Sequence, residues 1–191
     1  MRKIKIVDVT DANFDSIPRP TIKRFNCKEC FYWIGKKDGR LDQKVQKRKW
    51  LSRKSAGFGS LSKVLFVNGE SEPVGFIQFG PIKEFETAKL YYLRNGILRD
   101  GWCITCVTIR SNWRRQGLAQ ALVKSVLQDL KRRGIDQVDV YPQLRIKNVN
   151  ESSVGSTQLW QKLGFKVVAE DSREVIMRKE LHHGTKQKNS T

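Results

Sequence analysis

The residues best suited to chemistry lie in one short turn, between an apolar run and an amphipathic segment. The turn contains Arg114, Arg115, Gly117 and Ala119. A helix that begins here leaves its first backbone N–H groups without partners and carries partial positive charge at that end. Gly117 has no Cβ to keep a phosphate from the backbone, and arginine can bind phosphate through two parallel hydrogen bonds. The pattern therefore predicts a pyrophosphate site.

The elements on either side of this turn support that prediction. Residues Trp102–Ile109 form a continuous apolar run, WCITCVTI, which is typical of a buried strand. After the turn, leucine or valine recurs every four residues from Leu118 to Leu130, which predicts an amphipathic helix capped by Gly134. A buried strand followed by a basic, glycine-containing turn and a helix is the context in which such a turn binds phosphate.

The remaining apolar runs and breaks predict a mixed sheet with helices on both faces. The other expected elements are a strand near 4–9, a basic helix from about Gln43 to Ser55 ended by Gly57 and Gly59, a hairpin of 63–67 and 74–79, a strand at 138–141, a helix around 159–163, and strands at 165–168 and 174–177. Residues 86–100 are ambiguous, and Tyr91, Tyr92 and Leu93 are expected to pack under a loop there.

Composition limits the class of protein. The 191 residues are 39% hydrophobic, enough for one domain with a core but not for two. No run reaches the roughly 18 consecutive apolar residues that a membrane span needs, and the N-terminus does not resemble a signal peptide. We therefore expect a cytoplasmic protein that does not enter a membrane, either a monomer or a homodimer.

The chain is strongly basic, with 37 Lys and Arg against 19 Asp and Glu and a net charge of +18. The densest basic run is 36–54. A basic face favours polyanions such as nucleic acid, although the same run is also typical of a well-solvated surface. No aromatic set typical of RNA-binding modules accompanies it.

The four cysteines occur as two pairs, Cys27 with Cys30 and Cys103 with Cys106. Four thiolates would suit a tetrahedral zinc ion, but about seventy residues separate the pairs, which exceeds the usual spacing. Residues three apart on a regular strand also point to opposite faces, so Cys103 and Cys106 would need a bulge to share a metal. We expect no metal; a redox or partial metal role for the first pair, and a nucleophilic role for Cys106, stay open.

These features resemble the GNAT superfamily of N-acetyltransferases. The segment VTIRSNWRRQGLAQALV is similar to its acetyl-CoA motif, Arg/Gln-x-x-Gly-x-Gly/Ala. LWQKLGFKVV (159–168) is similar to its later helix and strand, and EVIMRKEL (174–181) to its terminal strand. The N-terminal CxxCxYW, from Cys27 to Trp33, together with WCITC and Tyr141-Pro142, resembles one uncharacterised bacterial and archaeal subgroup.

The resemblance implies an α+β fold with a mixed, mostly antiparallel twisted sheet. It covers about 60–181, the expected cofactor core of a single domain over 1–181 whose N-terminal part, 1–60, is basic; the polar tail at 182–191 is expected to be disordered. It also implies acetyl-CoA as cosubstrate. Val107 and Ile109 would offer backbone groups to the pantetheine arm. The pyrophosphate would be wrapped by Arg114, Arg115, Gln116, Gly117, Leu118 and Ala119.

The catalytic half of the resemblance is incomplete. The family's usual acid, a tyrosine in the later helix, is replaced by Trp160, whose indole N–H does not transfer protons near neutral pH. The central strand has no carboxylate. Tyr141 is the substitute acid, unless it is only a packed aromatic. Glu151 is the candidate base, unless it is only a loop residue and a water serves, or the amine arrives deprotonated.

Two functions follow from these features. The first is an N-acetyltransferase that transfers acetyl from acetyl-CoA directly to a primary amine of an unidentified acceptor. The second is a basic GNAT-fold binding module for nucleic acid or a ribonucleoprotein, with little or no catalysis. The cofactor turn favours the enzyme, and the missing tyrosine and carboxylate favour the binding module.

Overall fold

The computed structural model describes residues 3–19, 26–95, 100–142, 153–170 and 175–181. The strands in this part of the chain are β1 (Ile4–Asp8), β2 (Ser62–Val67), β3 (Gly75–Pro81), β4 (Trp102–Ile109), β5 (Gln137–Val140), β6 (Lys166–Glu170) and β7 (Val175–Glu180). The α-helices are α1 (Gln43–Phe58), α2 (Glu86–Arg94), α3 (Leu118–Arg132) and α4 (Thr157–Lys162).

The strands form a single mixed sheet in the order β1-β2-β3-β4-β5-β7-β6. Neighbouring strands are antiparallel except β4 and β5, which are parallel. The predicted α+β fold, with its mostly antiparallel sheet, is therefore confirmed. The predicted hairpin is β2 and β3, and the run WCITCVTI is β4 with the predicted bounds.

Two expectations about the helices need correction. Tyr91, Tyr92 and Leu93 lie in helix α2 and not under a loop, because Ala88, Tyr91 and Tyr92 are spaced as one helical stripe and are buried together. Leu93 points outward and is 57% exposed. Helix α1 also continues beyond Ser55 through Gly57 to Phe58, and only Gly59, with a φ of 76°, ends it.

Helix α3 is the amphipathic helix that the leucine spacing predicts. Its buried residues are Leu118, Leu122, Val123, Val126, Asp129 and Leu130. Gly134 follows its last turn with a φ of 75°, and the Ile135 N–H donates to the Leu130 carbonyl at 3.1 Å. This left-handed C-terminal cap satisfies carbonyl groups that the helix itself leaves unpaired.

The sheet separates two layers. On one face α3 packs on β3 and β4: a Cβ built at Gly75 would lie 2.8 Å from Ile109 Cδ1 and 3.0 Å from Leu122 Cδ1. On the other face Lys47 of α1 reaches Gln78 of β3, and Tyr92 of α2 reaches Asp139 of β5. The central strands are therefore buried on both faces.

The packing of α3 on the sheet predicts a large cost for shortening Leu122, which is fully buried. We expect Leu122→Ala to lower the free energy of unfolding by about 3 kcal/mol, because the side chain leaves a cavity against Gly75. Urea denaturation followed by circular dichroism measures this. Gln128→Ala, on the exposed side of the same helix, should change it by about 0.5 kcal/mol or less. Equal effects of the two substitutions would contradict the packing.

Candidate functional site

The turn after β4 has the backbone of an anion-binding loop. A 3-10 turn, Ser111–Trp113, leads out of the strand, and Arg114 continues extended. Arg115 then has a φ of 59° and Gly117 a φ of 76°, so both are left-handed. A left-handed conformation is uncommon for a residue other than glycine. Left-handed residues beside right-handed ones turn backbone N–H groups toward a common point, which is a frequent way to bind anions.

Gly117 is the N-cap of α3 and lies open to solvent. A Cβ built there would meet no atom within 4 Å, so a ligand can approach the backbone closely. The Ala121 N–H donates to the Gly117 carbonyl at 3.0 Å, which starts the hydrogen bonding of α3. In an α-helix that begins at Leu118, the N–H groups of Leu118, Ala119 and Gln120 have no acceptor within the helix. No acidic residue lies in the first turn of α3.

The side chains of the turn residues lie in different environments. Arg114 Nε donates to the Ile109 carbonyl at 3.0 Å and so folds back onto β4. Arg115 is exposed. Leu118 is only 8% exposed and packs into the core, so its backbone alone can face a ligand. The structure brings the six predicted turn residues together; that they bind pyrophosphate stays a prediction.

Beside this turn, β4 and β5 separate. They pair only over residues 102–104 and 138–140. The Arg110 N–H donates to the Val74 carbonyl at 2.8 Å, on the β3 side of β4. Successive residues of a strand turn their backbone groups to alternate sides, so Val107 and Ile109, three residues and one residue before Arg110, turn theirs away from β3. Both predicted residues thus point their N–H and C=O groups toward the gap. The Val107 N–H already donates to the Ser153 carbonyl at 2.7 Å, so a ligand amide there must replace that bond.

A β-bulge in β4 corrects the expectation that Cys103 and Cys106 point to opposite faces. Gln78 pairs with Cys106 and Gly80 with Cys103, and Thr105 is the extra residue. Because Gln78 and Gly80 are two apart on β3, their partners share a face, opposite α3. The bulge that Cys103 and Cys106 need in order to lie on the same face is therefore present. Even so, no group of three or more His, Cys, Asp or Glu that could hold a metal ion occurs among the described residues.

On the face of β4 opposite α3, Cys27 and Cys30 lie close to Cys106, and Lys47 of α1 lies beside them. Lys47 is 2% exposed, and its Nζ donates to Gln78 Oε1 at 2.7 Å and to the Cys30 carbonyl at 3.0 Å. Burial raises the pKa of the Cys27 thiol to about 11. Burial likewise raises the pKa of Cys106, with smaller contributions from the neighbouring thiols. These thiols are therefore protonated and poorly nucleophilic in the unliganded protein.

Tyr141, the predicted acid, belongs to a buried network at the end of β5. Its hydroxyl donates to the Tyr92 hydroxyl at 3.2 Å, and Tyr92 donates to Asp139. Arg178 Nε and Nη2 donate to the Asp139 carboxylate at 2.8 and 2.9 Å. Burial raises the pKa of Tyr141 well above its ordinary value, and Trp33 packs on its ring at 5.4 Å between centroids. Tyr141 can therefore give up a proton only if this packing opens.

Trp160 holds the place of the tyrosine that the family pattern would supply. It is fully buried, and its indole N–H donates to the Val154 carbonyl at 2.9 Å. This bond anchors α4 to the chain that enters the gap at Ser153. Trp160 therefore positions the wall of the gap and transfers no proton. Glu151, the predicted base, lies outside the described residues.

Sequence reasoning missed Lys47 as a site residue. The signal was present: Lys47, Trp50 and Leu51 are spaced as one stripe of α1, and the structure buries all three. A lysine within an apolar stripe indicates a buried amine. The pair Asp139 and Arg178 was also missed, because nothing in the sequence indicates that β5 and β7 are neighbours.

Comparison with known proteins agrees with this geometry. The sequence profile of the acetyltransferase (GNAT) family matches residues 8–165. A search of curated proteins found no match. No helix in the described ranges is long and apolar enough to cross a membrane.

Solved structures share the fold at low sequence identity. The PaiA N-acetyltransferase from Thermoplasma acidophilum, in complex with coenzyme A, is 15% identical with a TM-score of 0.58, over 93% of this chain and 99% of that one. Mosquito arylalkylamine N-acetyltransferase like 5b is 13% identical with a TM-score of 0.61, over 94% and 100%. Ard1 from Thermoplasma volcanium is 16% identical with a TM-score of 0.57, over 94% and 99%. At these identities the likeness establishes the fold alone.

The burial of the thiols predicts their order of alkylation. We expect iodoacetamide to modify Cys30, which is half-buried, well before Cys27, Cys103 and Cys106 in the native protein near neutral pH. Alkylation requires the thiolate, and a raised pKa lowers the thiolate fraction at a given pH, so modification of Cys27 should accelerate as the pH approaches about 11. Peptide mass spectrometry measures this. Rapid labelling of Cys103 or Cys106 in folded protein would contradict the arrangement.

Proposed function

The chain belongs to the acetyltransferase (GNAT) family, and from that premise we propose that it transfers an acetyl group from acetyl-CoA directly to a primary amine. One observation carries this proposal: the left-handed turn at Arg115 and Gly117 lies directly beside the gap between β4 and β5. The turn offers N–H groups to a pyrophosphate, and the gap offers strand-like hydrogen bonds to an extended amide chain. Acetyl-CoA contains both groups, in that order.

The geometry supports a specific placement of the cosubstrate. In this proposal the N–H groups of 115–119 bind the pyrophosphate, with help from the helix dipole and the exposed Arg115. The pantetheine amides bind the backbone of Val107 and Ile109 and displace the Ser153 carbonyl from the Val107 N–H. The thioester then lies at the bulge, next to Cys106.

Transfer at this point needs three functions from the protein. The acceptor must lose a proton, the oxyanion that forms on the thioester carbon needs a donor, and the departing CoA thiolate must gain a proton. We propose a backbone N–H group of β4 as the donor to the oxyanion, distinct from those that bind the pantetheine. We keep Tyr141 and Glu151 as proposals for acid and base; the Tyr141 hydroxyl donates to Tyr92, and that bond has to open for Tyr141 to act on a thiolate.

The solved structures support the cosubstrate and leave the acceptor open. The PaiA N-acetyltransferase was crystallised with coenzyme A, and another neighbour is named for arylalkylamines. Each of these names describes that other protein, and the chemistry they share, acetyl transfer from a thioester to an amine, is what supports the proposal.

The alternative of a polyanion-binding module is weaker in the folded protein than in the sequence, because several cations of 36–54 have internal partners. Lys44 and Arg48 form ion pairs with Asp15, and Arg48 also binds Asp11 at 2.8 Å. Lys54 forms an ion pair with Glu84. Lys47 is buried. Four of the nine cations in 36–54 are therefore paired with, or buried against, other parts of the fold.

The proposed function is tested by thiol release. Purified protein is incubated with acetyl-CoA and a panel of polyamines, aminoglycosides, amino acids and basic peptides, and free CoA is measured with a thiol reagent. We expect release that depends on at least one amine. Calorimetry with coenzyme A accompanies the screen, and failure to bind it at millimolar concentration would contradict the proposal.

The turn itself is tested by Gly117→Glu. We expect this substitution to weaken coenzyme A binding by about 100-fold or more, roughly 2.8 kcal/mol, because a carboxylate then occupies the phosphate position. Gly134→Glu is the matched control, since Gly134 is also left-handed, also has no atom near its Cβ position, and lies at the other end of α3. Unchanged binding in Gly117→Glu, or equal loss in the control, would remove the turn from its role.

A further inference from the structure

Two lysines are buried in the described part of the chain, Lys47 and Lys63. Lys63 forms an ion pair with Asp129, whereas Lys47 has no role in the proposed chemistry so far. It projects from α1 onto the sheet face that carries Cys106, opposite α3. Its Nζ lies 2.7 Å from Gln78 Oε1, and Gln78 is the register partner of Cys106. The amine therefore lies over the bulge of β4, where the proposed site holds the thioester.

The hydrogen bonds of Lys47 suit an uncharged amine. Its two acceptors are Gln78 Oε1 and the Cys30 carbonyl, both neutral. An uncharged amine has two N–H groups and one lone pair, so these acceptors use both N–H groups and leave the lone pair free to accept. A charged ammonium would keep a third N–H, and no carboxylate forms an ion pair with Lys47 among the residues that the structure describes.

The surroundings of Lys47 favour the uncharged form. Burial lowers the pKa of the Lys47 amine, while smaller effects of Cys106, Cys30 and Cys27 act in the opposite direction. The ring of Trp50, on the same helix, lies 5.7 Å from Nζ and also favours the ammonium form, so burial is the cause that favours the free amine. Buried lysines shift their pKa readily, and this is how lysine comes to serve as a general base.

Two other titratable groups on this face, Asp139 and Tyr141, are already engaged. Asp139 accepts hydrogen bonds from Arg178 and Tyr92, so its carboxylate is matched by a guanidinium. The Tyr141 hydroxyl donates to Tyr92. Lys47 is bound only through its donors, which leaves an acceptor available beside β4.

We propose that Lys47 is the proton acceptor of the transfer reaction, held in place by Gln78 and Cys30. This inference rests on the proposed acetyl transfer and gives Lys47 the proton-transfer roles for which Glu151 and Tyr141 are the alternatives. An acceptor bound between Cys106 and Lys47 arrives as an ammonium ion. One N–H proton passes to the Lys47 lone pair, and the freed nitrogen lone pair attacks the thioester carbon. This supplies the base that the strand WCITCVTI does not contain.

The protons removed from the acceptor nitrogen end on the CoA thiolate and in solvent. The tetrahedral intermediate expels the CoA thiolate as its C–S bond breaks, and the Lys47 ammonium returns its proton to that thiolate. The second nitrogen proton leaves to solvent as the amide forms. The products are the acetylated amine, CoA thiol, one proton and Lys47 in its original state.

The first test does not depend on the acceptor. Protein labelled with ¹³C at the lysine Cε position is titrated by NMR, and the Lys47 signal is assigned by its loss in Lys47→Met. We expect the Lys47 pKa to lie well below the roughly 10.4 of an unperturbed lysine amine. A Lys47 pKa at that ordinary value would overturn the proposal, whatever the protein acetylates.

The second test uses two amines that differ in charge. n-Butylamine is an ammonium ion at neutral pH, and 2,2,2-trifluoroethylamine is largely uncharged. We expect Lys47→Met to lower kcat/KM for butylamine by about 100-fold or more and to lower it far less for trifluoroethylamine, because that amine has no ammonium proton to lose before it attacks. The acid limb of the wild-type pH profile should also disappear. Methionine is close to lysine in volume but leaves Gln78 Oε1 and the Cys30 carbonyl without this donor, so circular dichroism first checks that Lys47→Met is folded.

Controls separate this role from a structural one. Lys49→Met should behave as wild type with both amines. Lys47→Arg retains a cation that cannot accept a proton, so it should lose butylamine turnover as Lys47→Met does. Equal loss of both amines in Lys47→Met would indicate a structural lysine and overturn the proposal. If wild-type protein fails to bind coenzyme A, the proposed function fails instead, and the titration of Lys47 still reports on the amine by itself.

Discussion

The separation of β4 from β5 is the constraint on which the rest of the site depends. The two strands pair over residues 102–104 and 138–140, and β4 then runs on with one edge open. Backbone N–H and C=O groups in a protein interior need partners, so such an edge has to be filled by a ligand or by another part of the chain. Here Ser153 takes the Val107 N–H, and Arg114 takes the Ile109 carbonyl. Both bonds can be exchanged for the amides of an extended ligand.

Each face of the sheet then has its own task. The face under α3 is mostly apolar, apart from the buried ion pair of Lys63 with Asp129, and its packing fixes where the helix begins and so where the left-handed turn at Gly117 lies. The opposite face carries the polar groups of the proposed site: Lys47 with Gln78 on one side, and the network of Tyr141 and Asp139 on the other. Lys47 is held by two neutral acceptors, and Asp139 is paired with Arg178. A thioester entering along β4 would meet them from the gap, while its phosphates remain at the turn.

The sequence predicted best what depends on neighbouring residues. The strand β4, the basic turn and helix α3 are contiguous, and apolar spacing and glycine define them without knowledge of the rest of the fold. The bulge at Thr105 could not be predicted, because one extra residue leaves an apolar strand looking regular. Asp139 and Arg178 meet only through the neighbouring positions of β5 and β7. Lys47 could have been found, since it lies in the stripe with Trp50 and Leu51, but the density of basic residues around it suggested a solvent-exposed surface.

The account is tested most directly by mapping where coenzyme A meets the backbone. Uniformly ¹⁵N-labelled protein is titrated with coenzyme A, and the shift of each assigned amide signal is followed. We expect the largest changes at Val107, Ile109 and residues 115–119, with Ser153 changing as its carbonyl leaves the Val107 N–H. Signals that stay constant there while the largest changes occur on the exposed side of α1, or nowhere, would contradict the account.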